Sequence, residues 1–158
     1  MENGAVIDST GIYRYSLWRE WNTNAPRIAF VMLNPSRADA ITDDPTLRRC
    51  IRFAQSWGYG SLEVVNLFAY RASRPTILAQ VSDPVGAEND RYLKQAVELA
   101  DKIIVAWGNQ GILGDRSRVV LDWLTSFNAL YCLGINQTGY PRHPLYVKSS
   151  TKPVYYPS

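Results

Sequence analysis

Arg27-Ile28-Ala29-Phe30-Val31-Met32-Leu33, closed by Asn34-Pro35-Ser36, is the stretch that decides the fold. A continuous apolar run of this length, ended by a turn, is the pattern of a strand covered on both faces, and such strands belong to sheets with helices on either side. The pattern recurs downstream. Leu62-Glu63-Val64-Val65-Asn66-Leu67-Phe68 and Ile103-Ile104-Val105-Ala106-Trp107-Gly108 read as a second and third core strand, and about Ala129 to Leu133 as a fourth. Helical spacing lies between them. Asp43-Asp44-Pro45-Thr46 supplies an N-cap acid and a proline at the first helical position, and Leu47, Cys50, Ile51, Ala54 and Trp57 then share one face. This predicts a helix from about Pro45 to Trp57. A second is predicted from about Ala87 to Ala100, with Leu93, Ala96 and Val97 on its apolar face, and a third from about Asp115 to Ser126. The alternation predicts a three-layer α/β/α fold with a mainly parallel four-stranded sheet. The aromatic-rich stretch from Gly11 to Trp21, with rough period-two alternation, is expected to pair with Ala5 to Ile7 as an N-terminal β-hairpin.

Composition bounds what surrounds this core. The chain has 158 residues, 46% apolar and 20% charged, with no repeat, low-complexity tract or linker, so residues 1–158 read as one domain. Its longest apolar runs fall far short of the roughly 20 residues that span a bilayer, so no membrane partner is expected. The opening MENGAVIDST lacks the features of a secretory signal, and a cytoplasmic location is expected. Cys50 and Cys132 sit in apolar patterns without CxxC spacing and read as buried free thiols. Net charge is +3, too small to announce a nucleic-acid surface, although 13 of the 17 basic residues are Arg, whose planar fork suits phosphate and base edges. Nothing in the composition indicates an oligomeric state.

In a sheet of this kind ligands bind beyond the carboxyl ends of the strands. Four segments fall there: Asn34-Pro35-Ser36, Asn66-Leu67-Phe68-Ala69-Tyr70-Arg71, Trp107-Gly108-Asn109-Gln110, and Gly139-Tyr140-Pro141-Arg142-His143-Pro144-Leu145-Tyr146. Asn66 is the candidate reader of a base edge, since a carboxamide offers a donor and an acceptor together. Asn34, on a turn stiffened by Pro35, is a rigid mount for holding a water or a sugar. His143, the single histidine, lies between prolines in a polar loop and suits the role of donor to a departing group, with Arg142 reinforcing the field. Ser36, Phe68, Arg71 and Trp107 complete the candidate binding residues. A lone Asn is more often a cap, and an aromatic more often core. Asp39, Asp43 and Asp44 could hold a divalent ion, but Asp44 is explained as a cap and no His or Cys stands near, so neither a metal nor another cofactor is expected. Arg48, Arg49 and Arg52 either face a phosphate or lock that acidic loop. Walker, GxGxxG and nucleophile-elbow motifs are absent.

Leu33-Asn34-Pro35-Ser36, Val65-Asn66, Trp107-Gly108 and His143-Pro144-Leu145 occur in an order that resembles the motifs of the uracil-DNA glycosylase superfamily, above all its mismatch-specific branch. That resemblance implies a uracil-DNA glycosylase-like domain in which Asn34 holds the catalytic water, Asn66 reads the base and His143 supports the departing base. Departures are plain: Asn34 stands where the most active branch has Asp, and Leu145-Tyr146 replaces the Ser-Pro that follows His-Pro in glycosylases. The full pattern LNPS, DDPT, NLFA, AWG and PRHPLY more closely resembles an uncharacterised bacterial and phage family, a domain of unknown function, which brings no activity with it.

The leading expectation is an enzyme acting on the N-glycosidic bond of a nucleobase, modified or not, in a nucleoside or nucleic acid. The alternatives are a non-catalytic module for a nucleobase or nucleic acid, and a metal-dependent nucleotide or sugar-phosphate enzyme.

Overall fold

The computed structural model describes residues 2–109 and 115–157. Its strands are β1 (Glu2–Ile7), β2 (Arg14–Glu20), β3 (Arg27–Met32), β4 (Ser61–Asn66), β5 (Lys102–Val105), β6 (Leu130–Cys132) and β7 (Val154–Tyr155). The helices are α1 (Pro45–Ser56), α2 (Asn89–Leu99) and α3 (Arg116–Phe127), with short 3-10 turns at Pro75–Gln80 and Pro144–Tyr146.

The strands form one seven-stranded mixed sheet in the order β1-β2-β4-β3-β5-β6-β7. This corrects the expected mainly parallel four-stranded sheet with a separate hairpin. β3 pairs in parallel with β4 and β5, and β5 with β6, but β1–β2, β2–β4 and β6–β7 are antiparallel. The reason lies in edges: β4 would otherwise present an open row of backbone donors and acceptors, and β2 closes it from Leu17 opposite Val64 to Glu20 opposite Ser61. Strand periodicity reports which residues are extended, not which strand they bond to. β7 is two residues long, too short to leave a periodic signal.

β3 shows why the run from Arg27 was decisive. Ile28, Phe30 and Met32 pack with Leu47, Cys50, Phe53 and Ala54 of α1 on one face. Val31 and Leu33 pack with Leu93 and Val97 of α2 and Val120 and Leu124 of α3 on the other. Each such large apolar side chain contributes about 1.5–3 kcal/mol when fully buried. α1 starts where its cap predicts, with Asp44 accepting from the Leu47 amide at 2.8 Å and Pro45 at the first position. Both cysteines are free and buried. No helix among the described residues is long and apolar enough to cross a membrane.

After β3 the chain crosses to β4 on one side, then returns past β3 to β5 on the other. A crevice opens where neighbouring connections diverge to opposite faces, here at the carboxyl ends of β3 and β5.

Candidate functional site

At that place lies a cavity of about 600 Å³. It is bordered by the end of β3 (Met32 to Asn34, with Ser36), the end of β4 (Asn66), Trp107 to Asn109 after β5, the first turn of α1 (Thr46, Leu47) and the loop from His143 to Tyr146. Asn34, Ser36, Asn66, Trp107 and His143 are therefore brought together as the sequence reading expects. Phe68, Arg71 and Arg142 are not. Phe68 is buried in the core against α2 and α3. Arg71 donates to the carbonyls of Ser36, Gly11 and Arg37 and so ties loops together. Arg142 is exposed, beside Gly134. Gln110 lies outside the described residues.

Each of the three central side chains has part of its hydrogen-bonding capacity already used. Asn34 donates both amide hydrogens to backbone, to Pro35 O at 3.0 Å and Ala72 O at 2.8 Å. This fixes which way the amide points and leaves Oδ1 as an acceptor. Asn66 is buried, and its Oδ1 accepts from Arg14 Nη2 at 3.5 Å, so among the described residues only its Nδ2 has no partner. The carboxamide thus offers the cavity a free donor, while its oxygen is shared with Arg14. Its backbone is held from behind: Asn89, fully buried, donates to Asn66 O and Leu67 O at 2.9 and 3.1 Å, and Arg116 Nε to Leu67 O at 2.8 Å. Asn89-Asp90 therefore belongs to the support of the strand end.

His143 caps the 3-10 turn of Pro144–Tyr146, its Nδ1 accepting from the Leu145 amide at 3.2 Å. Burial lowers its pKa below the ordinary 6.5 against the opposing pull of Asp44, so the ring is neutral near pH 7. With Nδ1 an acceptor, the proton sits on Nε2. Gly108 suits its backbone here, with φ +74°, and its amide donates to Pro141 O at 2.9 Å, tying the β5 end to the His143 loop. Asn109 Oδ1 stitches the same rim by accepting from Asn136 and Thr138 at 3.0 and 2.6 Å.

The acidic loop does other work. Asp43 pairs with Arg19 of β2, a fully buried guanidinium that donates through Nε and Nη2 at 3.0 and 2.9 Å and also reaches Asp39 O at 2.7 Å. Asp39 Oδ1 accepts from the Ile41 and Thr42 amides. Asp44 caps α1 and borders the cavity. The three carboxylates are thus committed separately, and among the described residues no three His, Cys, Asp or Glu side chains group as metal ligands. Arg19, rather than Arg48, Arg49 or Arg52, locks the loop. Arg48 reaches only Asp43 O, Arg49 donates to Val147 O and lies over Phe53, and Arg52 is exposed. Cys50 borders the cavity, but burial pushes its thiol far above neutral pH, so it is a small apolar wall and no nucleophile.

The matching family model, described as a protein of unknown function (DUF1643), covers residues 14–145. The chain belongs to this family. No curated protein and no solved structure matches it. The DUF1643 span opens on Arg14 and closes on Leu145, both of which border the cavity.

Arg14 reaches the cavity from the start of a strand rather than from a strand's carboxyl end. It lies at the start of β2, is 4% exposed, and borders the cavity beside Asn66. Its signal was a cation within an aromatic and apolar strand, Tyr13-Arg14-Tyr15-Ser16-Leu17. Long charged side chains are almost never fully buried unless paired, so such a position marks either an internal ion pair or a site.

Proposed function

We propose that this DUF1643 chain is an enzyme that cleaves the N-glycosidic bond between a nucleobase and its sugar. The observation that carries this reading is convergence: Asn34, Asn66 and His143, from three separate segments, border one cavity with Asn34 Oδ1, Asn66 Nδ2 and His143 Nε2 still available. A volume of about 600 Å³ suits a ligand of nucleotide size, since ligand pockets run to roughly 300–1,000 Å³.

The chemistry follows from those atoms. Breaking the bond sends its electron pair to the base, leaving positive charge on the sugar ring and negative charge on a base carbonyl. His143 Nε2–H, fixed and neutral, donates to that oxygen as its charge develops. Asn34 Oδ1 accepts from a water and turns its oxygen toward the anomeric carbon, where the new C–O bond forms. The water's second proton passes to solvent or to the departing base. Asn66 Nδ2 donates to an acceptor on the bound ligand. The order of motifs that resembles the uracil-DNA glycosylase superfamily supports the same assignment. Two buried free thiols support a reducing, cytoplasmic setting.

Base release measured by mass spectrometry from nucleosides, nucleotides, and single- and double-stranded DNA tests the proposal. Wild type is expected to release base from at least one class. His143→Gln and Asn34→Ala are each expected to lose on the order of 10²-fold in rate, the scale of removing one oriented donor. Absence of release by wild type from every class would contradict the reading.

A further inference from the structure

The two cationic ends of β2 are not alike. A guanidinium carries five N–H donors. Among the described residues Arg14 gives one to Ala38 O at 3.0 Å and one to Asn66 Oδ1 at 3.5 Å, while its Nε is buried with no partner. It forms no ion pair. Burial pulls its pKa down to about 10, so it stays charged at neutral pH. Among the described residues no carboxylate touches it, and Asp44 and Asp39 favour its charge only from a distance, so this buried cation lacks the direct partner that would offset its desolvation. The surroundings share its character. Among the described residues Trp107 Nε1 is buried without a partner, Asn66 Nδ2 has none, and the hydroxyls of Ser36 and Thr46 border the cavity with no hydrogen bond. Each of these groups can donate to a ligand at this end of the cavity. Asp44 is the opposing charge, but its oxygens take the Leu47 and Ala38 amides at 2.8 and 3.3 Å at the N-terminus of α1, which offsets part of its field.

We propose that the cavity takes a free nucleoside monophosphate, with its terminal phosphate seated on Arg14 and assisted by the Ser36 and Thr46 hydroxyls. The nucleoside half rests on the glycosidic reading; the phosphate half rests on Arg14. A terminal phosphate carries up to two negative charges, whose oxygens match the guanidinium fork. A phosphodiester inside a strand must continue in two directions, whereas a terminal phosphate can end against a residue as buried as Arg14, which is 4% exposed. The charge of +3 agrees, being too small to hold a polyanion by phosphate contacts.

Calorimetric titration of the full chain tests this, using inorganic phosphate, nucleoside 5′-monophosphates of the common bases and the matching nucleosides, on wild type, Arg14→Met and Arg14→Lys. At least one monophosphate is expected to bind wild type roughly tenfold or more tighter than its nucleoside, as befits a charge-assisted contact. Inorganic phosphate should compete. Arg14→Met should erase the preference, and Arg14→Lys, which keeps charge without the fork, should retain part of it. Equal affinity for monophosphate and nucleoside, no binding of any phosphate, or a preference that survives Arg14→Met would overturn the proposal. Competition by an oligonucleotide lacking terminal phosphates would overturn the free nucleotide as ligand. Base release followed in parallel separates the two readings: Arg14-dependent binding without release rejects glycosidic chemistry alone, and equal kcat/KM for nucleoside and monophosphate rejects the phosphate seat alone.

Discussion

Arg19 and Arg14 lie on one strand, both buried, and end in opposite circumstances. Arg19 meets Asp43 through two nitrogens and spends further donors on the carbonyls of Trp18 and Asp39. Among the described residues Arg14 touches no carboxylate and leaves most of its donors unused. The first is part of the scaffold, since it fixes the loop that delivers Asp44 to the cap of α1. The second stands at a cavity and has no structural partner that accounts for its burial. Burial and residue type are the same in both places, so the presence of a carboxylate partner is what separates the structural cation from the one proposed to bind a ligand.

The largest expected effect breaks the scaffold side of this contrast. Arg19→Met leaves the carbonyls of Trp18 and Asp39 without their donor and Asp43 without its cation. Breaking such a pair is expected to remove about 3 kcal/mol of stability, discounted for the partial exposure of Asp43, as read by denaturant unfolding. A change below 1 kcal/mol, on the scale of an exposed pair, would show that the loop holds itself. A smaller change is expected at the other end. Arg14→Met removes a buried charge without a direct carboxylate partner but also the donor to Ala38 O, so the two effects offset and stability should change by less than about 1 kcal/mol, while phosphate binding is abolished. A loss as large as that of Arg19→Met would make Arg14 a structural cation and contradict its role as a ligand seat.

The smallest expected effect is a pH dependence. Because the folded chain holds the His143 pKa below 6.5, the unfolded chain takes up the proton first as pH falls through that value. Stability is therefore level above about 6.5 and declines as pH drops toward the lowered folded-state pKa. His143→Gln should flatten that segment of the unfolding profile. Base release by wild type should likewise be level near neutrality and fall in acid, where imidazolium no longer leaves Nδ1 free to accept from Leu145.

Much of the scaffold was legible where a signal is local. The apolar run of β3 marked a doubly covered strand, and Asp44-Pro45 marked the start of α1 to the residue. Asn34, Asn66 and His143 were legible as a group because the ends of parallel neighbours point to one mouth. Partnerships were not legible. The antiparallel seating of β2 against β4 depends on residues 41 to 47 positions apart, from Leu17 with Val64 to Glu20 with Ser61. Phe68 and Arg71 follow Asn66 by a few residues yet turn into the core and into loop carbonyls, because side-chain direction past a strand end is set by the loop. Arg14 escaped notice for the same reason in its strongest form: what distinguishes it is the absence of a carboxylate, which only the assembled fold displays.

The central claim, glycosidic chemistry at the cavity of Asn34, Asn66 and His143, is tested most directly by a single-turnover assay of base release by wild type and His143→Gln, with ligand affinity measured on the same samples. The account predicts release by wild type and a loss on the order of 10²-fold in the variant at unchanged affinity. Release at equal rates from both proteins, or from neither, would contradict it.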